Sequence, residues 1–263
     1  MPFDRERYEA ALTTGRIGRR VEYREQTGST MDDARELRAL GAGEPGFAYV
    51  AGEQLAGRGR LGREWVSSPG VGLYVTYFVR PREVDHATLI SLAAALAVAE
   101  ATRETSGLEV GFKWPNDVIA GETRKLCGIL AESRLRDTGL DVFVGIGVNV
   151  RRNPNLPPEV AALATSIEEE TGRAPAMEDL LAALSNALEP RVEQVDDAPA
   201  QVLADWRAKL LTLGQRVKVA TQSGEFEGEA VDLGARGELI VRLDDGSTRE
   251  VAAGDVRATG NSG

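Results

Sequence analysis

The sequence predicts an α+β chain built in two parts, and three observations carry that reading. Strand-like and helix-like periodicities intermingle up to about residue 212. From Leu213-Gly214 onward only short β-type runs follow. A length of 263 residues suffices for one large core and a small second one without staples. The expected division is 1–212 and 213–263, with a disordered tail at Gly260, Asn261, Ser262 and Gly263.

Each element has its own signal. Residues 21–23 read as a short strand, and Ser29-Thr30-Met31-Asp32 as a helix start. Met31, Ala34, Leu37 and Leu40 continue that helix as an apolar stripe ending at Gly41. Residues 47–51 form a strand that enters a glycine-arginine run, and 72–79 form another, closed by Pro81. The longest helix is expected over 86–105, opened by a structural His86 after Asp85. Residues 108–112 are a strand leading into a Pro-Asn-Asp turn, while 125–133 and 141–150 pair around Asp137-Thr138-Gly139. Residues 151–158, with three prolines and two asparagines, form a loop. Helices follow near 177–188 and 199–211. Beyond them, runs at 216–220, 226–232, 238–243 and 248–251, the last two joined by an Asp245-Gly246 turn, make a small β-barrel-like domain.

Composition narrows the function. Hydrophobic residues make up 42% and charged residues 27%, as in ordinary globular proteins. One histidine and one cysteine exclude zinc sites and Ser-His-Asp machinery, and Cys127 reads as a small buried filler. The single cysteine suits a reducing compartment. The charged N-terminus has no signal-peptide core, and the longest apolar stretch, 89–101, is too short to span a bilayer, so the cytoplasm is expected. A net charge of −10 argues against nucleic-acid binding. It does not exclude a nucleotide, because distant acids are screened beyond roughly 8 Å. An arginine about 4 Å from a phosphate gains around 4 kcal/mol at an effective dielectric near 20.

Four segments carry chemistry. Gln54 is followed by Gly57-Arg58-Gly59-Arg60-Leu61-Gly62-Arg63, in which three glycines allow close approach and three arginines have no nearby acid to neutralise them. The alternative is a mobile loop of solvated arginines. A dinucleotide fingerprint is rejected, because Glu64-Trp65-Val66-Ser67-Ser68-Pro69-Gly70 leads to a strand and not to the required helix. In 141–150, Val142, Val144, Ile146, Val148 and Val150 share a core face. Phe143, Gly145, Gly147 and Asn149 share the other, where the bare glycines admit something flat or a closely packed helix. Asn149 tilts that choice toward a ligand. Lys113-Trp114-Pro115-Asn116-Asp117 offers a point charge for phosphate, with Asn116 and Asp117 for a nucleotide or a magnesium shell. In the fourth segment Lys125 opens a strand in which Gly128 again permits close approach.

Together with Ser29-Thr30 and Thr165-Ser166, these segments resemble the biotin protein ligases, in the family's order and spacing from about residue 20 onward. The resemblance implies a mixed β-sheet catalytic domain flanked by helices, like class II aminoacyl-tRNA synthetases, followed by an SH3-like barrel. It implies ATP-dependent activation of biotin as biotinyl-5′-AMP and transfer to a lysine of a biotin carboxyl carrier protein of acetyl-CoA carboxylase or a related carboxylase. By matching position, Ser29, Thr30 and Gln54 would hold the rings of biotin. Arg58, Gly59 and Arg60 would cover its carboxylate and the phosphate, and Trp65 would pack on the valeryl tail. Lys125 would sit at the developing acyl phosphate, and Gly128, Gly145 and Gly147 would line the biotin site. Arg60, Arg63, Lys113, Asn116 and Asn149 would serve ATP, with Asp117 on Mg2+. Lys125, Arg60 and Arg58 are thus the expected catalytic set.

Some members of that family carry an N-terminal DNA-binding module, and about 20 residues before the catalytic domain would be too few for one. No nucleic-acid or membrane partner is expected, and the protein would act as a monomer or a homodimer. Leu61 and Cys127 stand where the family often has other residues. The rivals are a lipoate or octanoate ligase of the same superfamily and a non-enzymatic biotin sensor. The first lacks its arginine pair, glycine triplet and histidine-aspartate dipeptide here; the second is disfavoured by the set of nucleotide-facing residues.

Overall fold

The computed structural model describes residues 3–259, so the expected tail at 260–263 lies outside the described residues. Seven strands form a mixed sheet: β1 (Val21–Thr27), β2 (Ala48–Gln54), β3 (Gly72–Val79), β4 (Val110–Lys113), β5 (Asp117–Ala120), β6 (Arg124–Arg136) and β7 (Gly139–Asn149). Their order is β1-β2-β3-β7-β6-β5-β4; β1 and β2 run parallel and every other neighbour is antiparallel. The helices are α1 (Arg5–Ala11), α2 (Thr30–Ala39), α3 (Ala87–Ser106), α4 (Pro158–Ala161), α5 (Ile167–Thr171), α6 (Met177–Asp197) and α7 (Pro199–Ala208).

The alternation of β7 decides what packs where. Val142, Val144, Ile146, Val148 and Val150 enter the main core, which α3 and α6 cover. Phe143 joins Met31, Ala34, Phe47, Tyr49 and Phe78 in a second cluster under α2. The glycine face of β7 therefore looks toward α2. By length and composition α3 would reach across a bilayer, contrary to the sequence estimate, yet it is a core helix with thirteen buried residues.

Some expectations change. The longest helix is α6, not α3, and it runs through Pro190 to Asp197. Its apolar stripe Leu181, Leu184, Leu188, Val192 and Val195 continues past the proline, and that burial outweighs a backbone penalty of about 3 kcal/mol. Glu189 beside it accepts N–H bonds from Gly15, Arg16 and Ile17, tying down the N-terminal segment. Helices α1, α4 and α5, strand β5 and a last strand at Asp255–Ala258 are additional to the sequence reading. The C-terminal strands β8 (Arg216–Thr221), β9 (Gly224–Leu233), β10 (Leu239–Arg242), β11 (Thr248–Val251) and β12 (Asp255–Ala258) form one antiparallel sheet, ordered β11-β10-β9-β8-β12. It is joined to the larger part by Trp114, whose Nε1 donates to the Gly237 carbonyl at 2.9 Å.

Candidate active site

Gly128 of β6 pairs directly with Gly147 of β7, leaving a flat area in the middle of the sheet. The flat group lying there is the protein's own Trp65 indole. A Cβ built on Gly147 would come within 2.4 Å of Trp65 Nε1, and one on Gly128 within 2.8 Å of Cζ3. Lys125 Nζ stands 5.3 Å from the indole centroid, in cation–π range. The indole N–H is buried and has no hydrogen-bond partner.

Trp65 closes the glycine-arginine loop, which is a folded-back hairpin. Trp65 N–H donates to the Gly57 carbonyl at 2.9 Å, Gly59 N–H to Arg63 at 2.7 Å, and Gln54 N–H to Ser67 at 3.1 Å. Gly57 is needed for this closure: a Cβ there would lie 2.3 Å from the Trp65 carbonyl oxygen. Residues Arg60–Gly62 make a short 3-10 turn at the tip, where Leu61 has φ 56°. A left-handed leucine costs roughly 1–2 kcal/mol, so the tip holds some strain.

The three arginines do not share one environment. Asp32, 26 residues away, takes both terminal nitrogens of Arg58, at 2.7 and 2.8 Å. Asp255 of β12, 192 residues away, takes Arg63. Hydrogen bonds from these guanidinium groups hold both carboxyls below their ordinary range. The expectation that no acid neutralises the loop is corrected: the acids arrive from α2 and from the second sheet. Arg60 remains. It is half-buried, forms no ion pair among the described residues, and reaches only Asn116 Oδ1 at 3.4 Å. Burial holds its guanidinium below its ordinary value, against the pull of Asp117 and Asp255. It stays charged all the same.

The remaining polar groups are pre-positioned. Lys125 Nζ pairs with Asp117 Oδ1 at 2.6 Å. Asn116 donates its amide to the Ile129 carbonyl, and Asn149 donates to the Lys125 carbonyl at 3.4 Å. Lys113 stands exposed at the rim. At the inner end, the Gln54 carbonyl oxygen accepts from Thr30 N–H at 2.9 Å and from its hydroxyl at 3.1 Å, while Gln54 Nε2 donates to Ser67 at 2.8 Å. The Thr30 and Thr76 hydroxyls lie 2.8 Å apart. Ser29 precedes α2 without capping it by its side chain, and lines this end instead.

Ser29, Thr30, Gln54, Trp65, Lys113, Asn116, Asp117, Lys125, Asn149 and the three arginines line one cavity of about 790 Å³, within the range of ligand sites. Gly59, Gly128, Gly145 and Gly147 line it too, so it gathers the whole set expected from the sequence. Four contributors were missed. Thr76 is wholly buried on β3 opposite Gly145, and a lone polar residue in an apolar strand was its signal. Asp255 comes from the second sheet, and no local pattern points to it. Val160 and Leu163, in the segment after the proline-rich loop, face the same space while substantially exposed. Cys127 is fully buried, with its thiol pushed up by desolvation, and takes no part. His86 faces Asp196 at 3.1 Å, away from the cavity. Thr165 and Ser166 serve α5: Ser166 caps it by accepting Glu169 N–H at 3.2 Å. Among the described residues no three His, Cys, Asp or Glu come together, so the donors do not form a metal cage. Asp117 beside Asn116 is a donor pair that fits a cation arriving on phosphate oxygens.

Comparison with known proteins gives a consistent picture. Residues 23–149 match the Biotin/lipoate A/B protein ligase family, and residues 212–257 match the Biotin protein ligase C terminal domain. The biotin--[acetyl-CoA-carboxylase] ligase of Mycobacterium tuberculosis is 38% identical over 237 residues, covering 88% of this chain and 86% of that protein. The bifunctional ligase/repressor BirA of Bacillus subtilis is 31% identical, covering 89% and 73%. The structure of the Aquifex aeolicus biotin protein ligase with biotin and ATP superimposes with a TM-score of 0.80 at 28% identity, over 92% of this chain and all of that one.

Proposed function

The chain belongs to the biotin protein ligase family, and from that premise we propose how its cavity carries out ATP-dependent transfer of biotin to a protein lysine. A biotin carboxylate oxygen attacks the α-phosphorus of ATP, the bond to the bridging oxygen breaks, and pyrophosphate leaves. The neutral amine of the acceptor lysine then attacks the acyl carbon of biotinyl-5′-AMP, and AMP departs as the nitrogen loses its proton. Two anions must meet in the first step, so the site needs cations not already committed to acids.

One observation carries this reading. Arg60, half-buried and without a carboxylate partner among the described residues, shares one cavity with Lys125, itself paired with Asp117, beside a side-chain-free strip of sheet. In this reading Arg60 and Lys125 stabilise the charge on the transferring phosphate, and Arg58 acts through the loop. Ser29, Thr30 and Gln54 hold the biotin rings, Gly128, Gly145 and Gly147 give the floor, and Trp65 packs along the valeryl chain. Arg63, Lys113, Asn116 and Asn149 serve ATP. Asp117, now paired with Lys125, would hold the magnesium ion of Mg-ATP, whose charge would help to offset that of the phosphates. The lid excludes water from the anhydride, which would otherwise hydrolyse. Residues 1–212 form the catalytic part and 213–263 a C-terminal domain that closes over the nucleotide end. The acceptor is a carboxyl carrier domain of a carboxylase, met in the cytoplasm.

The test is to mix the pure protein with biotin, Mg-ATP and a carrier domain, and to map biotin onto the acceptor lysine by mass spectrometry. Transfer of octanoate or lipoate in preference to biotin would reassign the substrate.

A further inference from the structure

Arg58 meets Asp32 in a two-pronged pair, Nη1 to Oδ2 at 2.8 Å and Nη2 to Oδ1 at 2.7 Å. Such a pair fixes the plane of a guanidinium as well as its position. Asp32 is also held by Arg35, three residues on in α2, and Arg35 reaches Glu132 on β6. A line of pairs therefore runs from the loop through the helix to the sheet. Asp32 lies two residues after Thr30, so the first turn of α2 fixes the inner end of the cavity and the outer limb of the lid together.

We infer that Asp32 is a positioning residue for the reaction: it seats Arg58, and with it the hairpin limb, so that Arg60 is the guanidinium turned to the ligand. The opposite possibility, a latch that withholds Arg58 from the phosphate, predicts the opposite sign. Removing a latch strengthens nucleotide binding; removing a seat weakens it. The geometry favours the seat. The pair occupies both terminal nitrogens of Arg58 on the exposed side of the loop, whereas Arg60 is the arginine carried inward to Asn116. Both partners are part-exposed, at 39% and 46%, so the hold is modest and salt-sensitive.

The kinetic arm of the test rests on the ligase reading; the proteolytic arm does not. Trypsin cleaves after arginine, so cutting between residues 58 and 63 without ligands reports the seating of the loop. Asp32→Asn should speed that cutting about 2- to 5-fold. It should raise the KM for ATP and the release of biotinyl-adenylate by a similar factor at unchanged kcat, and Asp32→Glu should recover part of the loss. The Asp32→Asn/Arg58→Ala double variant should be no worse than the worse single one. Unchanged cutting, tighter ATP binding, or additive losses would overturn the assignment. A wild-type protein that forms no biotinyl-adenylate would refute the ligase reading, while the proteolysis would still decide the role of Asp32.

Discussion

Adding one methyl group at Gly147 tests the floor of the cavity directly. An alanine Cβ there would stand 2.4 Å from Trp65 Nε1 and 2.6 Å from Cε2, so the ring must retreat about 1 Å to reach ordinary contact. The backbone of Trp65 cannot follow easily, since its N–H is bonded to Gly57 and its carbonyl oxygen accepts the Ser67 hydroxyl. If the indole swings away instead, whatever replaces it on the floor meets the same methyl. Overpacking of this kind costs about 1–3 kcal/mol, a factor of roughly 5 to 150. Gly147→Ala should therefore weaken biotin binding by calorimetry and slow adenylate formation, measured as pyrophosphate release, within that range. Global stability should fall by less than the overpacking cost, because alanine suits a strand better than glycine by about 0.5–1 kcal/mol. Gly145→Ala provides the contrast: its Cβ would be 3.1 Å from Met31 Cε, a methyl at the end of a flexible chain that can give way. Losses in the order Gly147, Gly128, Gly145 are expected. Wild-type binding and rate in Gly147→Ala would refute the idea that the flat strip receives substrate.

Other perturbations separate the charged groups. Arg60→Gly removes the uncommitted guanidinium and should raise free biotinyl-adenylate in solution, trapped and counted by chromatography, while slowing its formation about 10²-fold. Lys125→Ala should slow adenylation about 10²- to 10³-fold in a pyrophosphate assay, and Lys125→Arg should not restore it, since a planar fork replaces a point charge stacked on Trp65. The two loop anchors set a pH window. Asp32 and Asp255 have lowered values when folded, so their contribution is fully present above the unfolded value of about 3.9 and is lost as pH falls through the lower folded ones. Trypsin-independent readouts of loop order, such as hydrogen exchange corrected for pH, should be flat from pH 6 to 8; a transition near neutrality would contradict the Asp anchorage.

Much of this arrangement was legible along the chain because alternation is a local signal. Strand β7, with its core valines and bare glycine face, follows from period-two spacing alone, and β3 from a continuous apolar run closed by Pro81. The elements missed are those with little apolar pattern to read. Helix α1 buries only Tyr8, β12 buries only Val256, and β5 is four residues long. The loop chemistry was harder for another reason. Its glycines and arginines announce an anion site, but the acids that engage two of the arginines come from elsewhere in the chain. Separation in sequence hid them, and with them the selection of Arg60. The glycine face likewise announced a flat occupant without revealing that an indole of the same chain already lies there.

Trp114 ties the C-terminal sheet to the turn that the proposed function assigns to ATP. Its backbone N–H donates to Thr212 at 3.0 Å and its indole to Gly237, while Lys113, Asn116 and Asp117 flank it on the turn at the nucleotide end. On the proposed assignment of that turn to ATP, a substitution that loosens how the small sheet docks should register first as poorer ATP use, and only afterwards as a lower melting temperature. Screens that score this part of the molecule by stability alone will overlook variants already crippled as catalysts.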